Sequence, residues 1–189
     1  GWVEHDEIVC PYHGLRFASD GMCTRIPTQP SVVPSDRFRA SVLPSVERYG
    51  LVWTCLDSVD GLPKITAFPE WDDAGFQQIT CPPVPMQAAP GRQIEGFIDV
   101  AHFAWVHDKA FADRDNSVVP LYSTRTTEYG FQSEYISNVS NLPKALRHRE
   151  PEGFTWRRVF DVYPPFMAIL TVHFPENGKL RIMNVASPA

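Results

Sequence analysis

Apolar and polar positions change rhythm twice along this chain. In the first third, short apolar runs are separated by turn residues, which predicts brief β-strands over "EIVCPYH" (7–13) and "LRFASDGMCTRIP" (15–27). The Asp20-Gly21 step in "SDG" supplies a tight hairpin turn between Phe17 and Met22. Residues 37–57 predict a second hairpin, turning near "ERYG" and returning along the apolar run Leu51 to Leu56. Residues 58–90 are rich in Pro, Gly and Asp and read as a connector, with one strand near Phe76 to Cys81. The rhythm then becomes helical. Residues 91–111 contain no Pro, and Ile94, Phe97, Ile98, Ala101 and Trp105 recur at helical spacing. Beyond them the pattern returns to β: a hairpin over 121–138 about Tyr129-Gly130, strands over 154–174 interrupted by Pro164-Pro165, and a turn at 176–178 into 179–187. That order predicts an antiparallel meander. The fold class is therefore α+β, with an all-β unit over 1–57, a connector over 58–90, and a helix with an antiparallel sheet over 91–189.

Composition narrows the function classes. The chain has 189 residues, 43% hydrophobic and 21% charged, ordinary values for a globular protein with a real core. Its 18 prolines argue for loops and edge strands over long helices. A formal charge of −5 argues against nucleic acid as a partner. No apolar run approaches the roughly 18 residues of a membrane span. Cys10, Cys23, Cys55 and Cys81 are too scattered for a disulfide framework, which points to a reducing compartment and a cytoplasmic location. The chain starts at Gly1 without a Met and stops at "NVASPA", so it is expected to be a fragment.

Two clusters of residues carry chemistry. In "CPYHG", Cys10 and His13 stand three apart, Pro11 fixes one backbone angle, and Gly14 relieves crowding after the histidine. A thiolate and an imidazole on a stiff turn suit zinc or an iron–sulfur cluster. Spacing alone equally allows a buried cysteine beside an incidental histidine. In "EGFIDVAHFAWVHD", Asp99 and His102 share a helix face. His102 and His107 are five apart, about 140° around a regular helix, so their convergence requires a break or a bulge. One core and one surface histidine is the plainer alternative.

"CPYHGLRF" followed by "SDGMCTRIP" resembles the second ligand loop of a Rieske [2Fe–2S] domain. D-x-x-H-x-x-x-x-H at 99–107 is similar to the iron-binding signature of the Rieske non-haem iron oxygenases, whose catalytic domain follows the Rieske domain. The two motifs stand in that order here, and "ID…AHFAWVH" is most similar to the monooxygenase and demethylase branch, near the vanillate-demethylase-like enzymes.

The resemblance implies that 1–57 is part of a Rieske domain and that 91–189 is part of a helix-grip catalytic domain. Cys10 and His13 would then be cluster ligands, with Cys23 structural. His102 and His107 would hold a mononuclear Fe(II). Asp99 would bridge His102 to the cluster histidine, His13, of a neighbouring subunit in a homotrimer. Gly96 stands where the family often has Asn. The first cluster ligand pair is expected before residue 1 and the third iron ligand after residue 189. No acid among Asp113, Asp115, Glu134 and Asp161 has a matching context. The 189-residue piece alone is expected to bind no cluster and to be inactive. The implied activity is hydroxylation or oxidative demethylation of a small aromatic or heterocyclic substrate with O₂. Electrons would come from NAD(P)H through a flavin or ferredoxin reductase. Phe166, Met167, Ile169 and Phe174 are candidates for pocket walls or for core. A plain Rieske electron carrier and a zinc-binding module are the other readings.

Overall fold

The computed structural model describes residues 1–57, 64–108 and 110–188. The expected connector opens in 58–63 and the expected helix crosses Lys109; both lie outside the described residues. The chain divides into two compact units, Gly1–Cys81 and Pro82–Ala189.

The first unit is built from short strands. β1 (Trp2–Glu4), β2 (Glu7–Val9), β3 (Arg16–Phe17) and β4 (Cys23–Arg25) form an antiparallel sheet in that order. β5 (Ser45–Arg48) and β6 (Leu51–Thr54) form a separate hairpin. Each of the two hairpins β1–β2 and β5–β6 turns through two residues with positive φ, His5-Asp6 and Tyr49-Gly50, whose twist matches that of the strands. Gly21 is obligatory where the chain returns toward Arg39. Its φ is +84°, and a Cβ there would stand 2.3 Å from the Ala40 carbonyl oxygen. Residues 66–71 fold back on the second hairpin. The Tyr49 hydroxyl donates to the Thr66 carbonyl (3.1 Å) and accepts from the Phe68 amide (2.8 Å). The strand expected near Phe76–Cys81 does not form, and prolines at 82, 83 and 85 remove ladder donors just after it.

The second unit is one five-stranded antiparallel sheet with helical segments on one face. β7 (Ser123–Thr127), β8 (Gly130–Ser137), β9 (Trp156–Tyr163), β10 (Met167–His173) and β11 (Lys179–Val185) lie side by side in chain order, the predicted meander. Strand periodicity and register put Tyr135, Phe160, Val162, Ala168, Leu170 and Val172 on one face. There they pack with Ile94, Val100 and Trp156 into a single core. The other face carries polar ladders, Arg125 to Gln132 to Asp161 and Glu134 to Arg157 to His173.

The helix expected over 91–111 is two pieces: α1 (Pro90–Ile98) and α2 (Phe103–Val106). Asp99 ends α1 in an extended conformation (φ −69°, ψ 118°), and its Oδ1 accepts the Ala101 amide at 2.8 Å. This local aspartate turn offers the backbone an alternative to the helical ladder, and the chain takes it.

Candidate functional site

The Cys10–Leu15 turn is closed by its own backbone. The Cys10 amide donates to the Leu15 carbonyl (2.9 Å), and the Cys10 carbonyl accepts from Gly14 (3.0 Å). Gly14 has φ +70°, and a Cβ there would meet the Pro27 ring at 3.2 Å. Cys10 is half-buried at the tail of β2, and His13 is exposed, its ring 4.0 Å from that of Tyr12. Cys23 is buried in β4, and its thiol donates to the Arg25 carbonyl (3.5 Å).

In the second unit the two histidines flank α2. His102 precedes its first residue and His107 follows its last, already leaving helical geometry (φ −107°, ψ 20°). Four helical residues and a departure from helical geometry at His107 bring the imidazoles to 5.1 Å between centroids. A regular helix would have splayed them. Asp99 Oδ2 lies 3.3 Å from His102 Nδ1. That contact holds the proton on Nδ1 and leaves Nε2 as the free donor atom. His107 stacks on Phe111 (4.4 Å). Burial, and then the neighbouring His102, lowers its pKa below the ordinary 6.5, which favours the neutral imidazole, the form a metal needs.

Among the described residues no group of three or more His, Cys, Asp or Glu gathers in a metal-binding cluster. The chain therefore presents two pairs of donors. A thiolate with an imidazole fits an iron–sulfur cluster in kind, and two imidazoles fit part of a 2-His-1-carboxylate set. The downstream acids are engaged elsewhere: Asp113 with Arg147, Glu134 with Arg157, and Asp161 with Gln132.

A cavity of about 260 Å³ opens beside Asp99, between the end of α1 and the sheet. Phe131, Ser133, Tyr135 and Phe160 line it from β8 and β9, with Tyr122 and Thr124 at its exposed rim. The sequence reading does not name these residues. Period-two spacing of Phe131, Ser133 and Tyr135 is the signal that places them on one face. Of the expected wall residues, Met167 and Ile169 sit on the opposite sheet face, Phe166 is exposed, and Phe174 packs edge-on against Trp156. Behind Tyr135 lies Arg158, 1% exposed, its guanidinium 5.4 Å from the Tyr135 ring. It donates to Asn141, Ser137 and the Val139 carbonyl. Burial pushes its pKa down to about 10, against the pull of Tyr135 and Glu150, so it remains a cation at pH 7.

Known proteins share this fold and part of this sequence. Residues 1–47 match the Rieske [2Fe-2S] domain. The chain is homologous to the oxygenase subunits of Rieske non-haem iron oxygenases. It is 30% identical over 121 residues to methylxanthine N1-demethylase NdmA of Pseudomonas putida, covering 64% of this chain and 34% of that protein. It is 31% identical over 180 residues to the putative toluene-4-sulfonate monooxygenase iron-sulfur subunit TsaM2 of Comamonas testosteroni, covering 87% and 49%. The fold matches the structure of Pseudomonas putida CBB5 NdmA with caffeine at a TM-score of 0.78 and 24% identity, over 98% of this chain and 52% of that one. The chain thus spans between a third and about half the length of these relatives.

Proposed function

We propose that the chain is part of a terminal oxygenase that uses O₂ to hydroxylate or oxidatively demethylate a small aromatic or heterocyclic substrate. The observation that carries this is the pairing of His102 and His107 with Asp99 on His102 Nδ1, in the same chain as the Cys10–His13 turn. Residues 1–57 would belong to the cluster domain, 58–90 to a connector, and 91–189 to the catalytic domain. Cys10 and His13 would hold one edge of a [2Fe–2S] cluster, and His102 and His107 a mononuclear Fe(II). When bound, these groups supply single electrons and O₂ chemistry.

The residues around them do the orienting. Asp99 fixes the His102 tautomer and keeps lone pairs for a second imidazole, which we assign to His13 of a neighbouring copy in a homotrimer. His107 is stacked on Phe111, and its lowered pKa favours the neutral ring that ligation requires. Overall, one oxygen atom enters a substrate C–H bond and the other leaves as water, consuming two electrons and two protons. An N- or O-methyl group so hydroxylated leaves as formaldehyde. The electrons come from NAD(P)H through a flavin or ferredoxin reductase. The four cysteines are free, in keeping with a cytoplasmic setting. Among the described residues no helix is long and apolar enough to cross a membrane. One relative is named for methylxanthine and another for toluene-4-sulfonate, which leaves the charge of the substrate open.

The test uses the full-length gene product, loaded with iron, reduced, and examined by low-temperature EPR. A Rieske-type signal that disappears in His13→Ala supports the cluster assignment. Asp99→Asn is expected to keep that signal and lower turnover 10- to 100-fold. Zinc in place of iron, with a silent spectrum, would overturn the reading.

A further inference from the structure

We propose that Arg147 is a positioning residue for His107, holding the plane of its ring through Phe111. The proposal rests on the oxygenase reading above. It starts from a difference between the two histidines. Asp99 orients the His102 ring through Nδ1. Among the described residues no carboxylate or carbonyl accepts from the His107 ring, which is instead stacked on Phe111, centroids 4.4 Å apart and planes 29° from parallel. Phe111 also meets Phe103 edge-on at 5.5 Å. Stacking lets one ring slide over the other, so the His107 ring is held only as firmly as its partner.

The bonds around Phe111 are largely local. The His107 carbonyl accepts the Ala110 amide at 3.0 Å and the Phe111 amide at 3.4 Å. Asp108 pairs with Arg114 at 3.4 Å, and Asp113 Oδ1 accepts the Asp115 amide at 3.1 Å. All of these lie within 107–115 and can move with that stretch. Arg147 ties the stretch to the sheet. Its Nη2 donates to the Ala112 carbonyl at 2.9 Å and its Nη1 to the Asp113 carboxylate at 3.2 Å, from 35 and 34 residues further along the chain. Two acceptors on successive residues fix the guanidinium plane as a single ion pair does not. Ala112, next to Phe111, is 2% exposed, so the clamp closes on packed chain.

Arg147 is itself rooted in the core. It sits in a short 3-10 helix, Lys144–Arg149, between β8 and β9. Its carbonyl accepts the Glu150 amide at 3.0 Å, and Glu150 Oε1 accepts the Trp156 indole N–H at 2.7 Å. Trp156 is fully buried. A continuous line of contacts therefore runs from the core through Glu150, Arg147 and Ala112 to Phe111 and His107. The plainer role for Arg147 is to neutralise Asp113 in a half-exposed ion pair, a contact worth little by itself. Its bond to the uncharged Ala112 carbonyl, beside Phe111, favours the positioning role. Contacts in line do not prove coupling, so the test measures coupling directly.

The experiment uses the full-length protein with its cluster intact and its mononuclear iron removed. Exchange of each imidazole Cε1 hydrogen is read by mass spectrometry. Fe(II) is then titrated back and followed by the EPR signal of its nitric oxide adduct. Arg147→Ala is expected to weaken Fe(II) binding about 10- to 100-fold, to speed exchange at His107 while sparing His102, and to leave the Rieske signal intact. Arg147→Lys keeps the charge but reaches one acceptor at a time, and should cost about three- to tenfold. It also stands in should Arg147→Ala not fold. Phe111→Leu should weaken Fe(II) binding by itself. Adding Arg147→Ala to it should then cost less than about twofold, because both act on one ring. Full additivity of the two substitutions overturns the proposal. So does wild-type Fe(II) affinity in Arg147→Ala, or exchange loosened at both histidines or at neither. Wild-type protein that takes up no Fe(II), with His107 still released by Arg147→Ala, would sink the oxygenase reading and leave the positioning role standing. Turnover that survives Arg147→Ala undiminished would do the reverse.

Discussion

The turn that carries Cys10 and His13 and the helix that carries His102 and His107 are held in place by different means. The first sits in a unit of two- to four-residue strands where, among the described residues, only Val9, Cys23 and Phe68 are buried apolar side chains. Its shape comes from backbone hydrogen bonds and from glycines at positive φ. The second rests on a sheet of five- to eight-residue strands, with fourteen buried apolar side chains in its unit and a continuous core beneath it. Burial supplies most of the favourable free energy of folding, so the two units differ in what stabilises them. If it holds the proposed cluster, a thin, backbone-built turn would depend on that ligand, as small metal domains do. A helix on a packed sheet is positioned before any metal arrives.

The sharpest way to break this contrast is to damage each support and see which site fails. Trp156 is fully buried against Phe154 and Phe174. Trp156→Ala is expected to cost about 3–5 kcal/mol in urea unfolding of the second unit and to spare amide protection in residues 9–17. Arg158→Met would leave Ser137, Val139 and Asn141 without their donor, at about 3 kcal/mol, seen as increased hydrogen exchange over 137–141. In the first unit, Gly14→Ala should cost about 1–2 kcal/mol from the left-handed backbone alone, and somewhat more from the Pro27 contact. Its diagnostic is loss of the Rieske EPR signal with the thermal transition of the second unit unchanged.

The smallest effect is a pH dependence on the outer sheet face. His173 Nε2 accepts from Arg157 Nη1 (3.0 Å), which requires the neutral ring. Burial, then Arg157 and Lys179, lowers its pKa below the ordinary 6.5, against an opposing pull from Glu134. The unfolded chain therefore binds the proton more readily. Stability is full above pH 6.5 and declines as pH falls through 6.5 toward the folded pKa. His173→Gln keeps an acceptor for Arg157 and should flatten that slope in denaturation measured between pH 7.5 and 5.

The meander over 121–187 was legible because its turns are marked by Gly, Pro and Asn and its strands alternate along one buried face. The hairpin at Tyr49-Gly50 was legible for the same reason. β1 was not, because its turn, His5-Asp6, contains no glycine, yet both residues adopt positive φ. The helix break was half legible: five-residue spacing demands one, but spacing cannot say where it falls. The structure leaves helical geometry at His107, and it makes a separate break at Asp99, whose side chain takes an amide from the helical ladder.

Sequence alone determined the kinds of donor atoms, their order along the chain, and the α+β class, because these follow from residue identity and local periodicity. Only the tertiary structure decided that His102 and His107 face one another and that Arg147 reaches the chain beside Phe111. It also decided that a cation, Arg158, lies buried behind Tyr135. Each of these depends on register between strands and on packing of a broken helix over a sheet, which couple residues that spacing along the chain leaves unrelated.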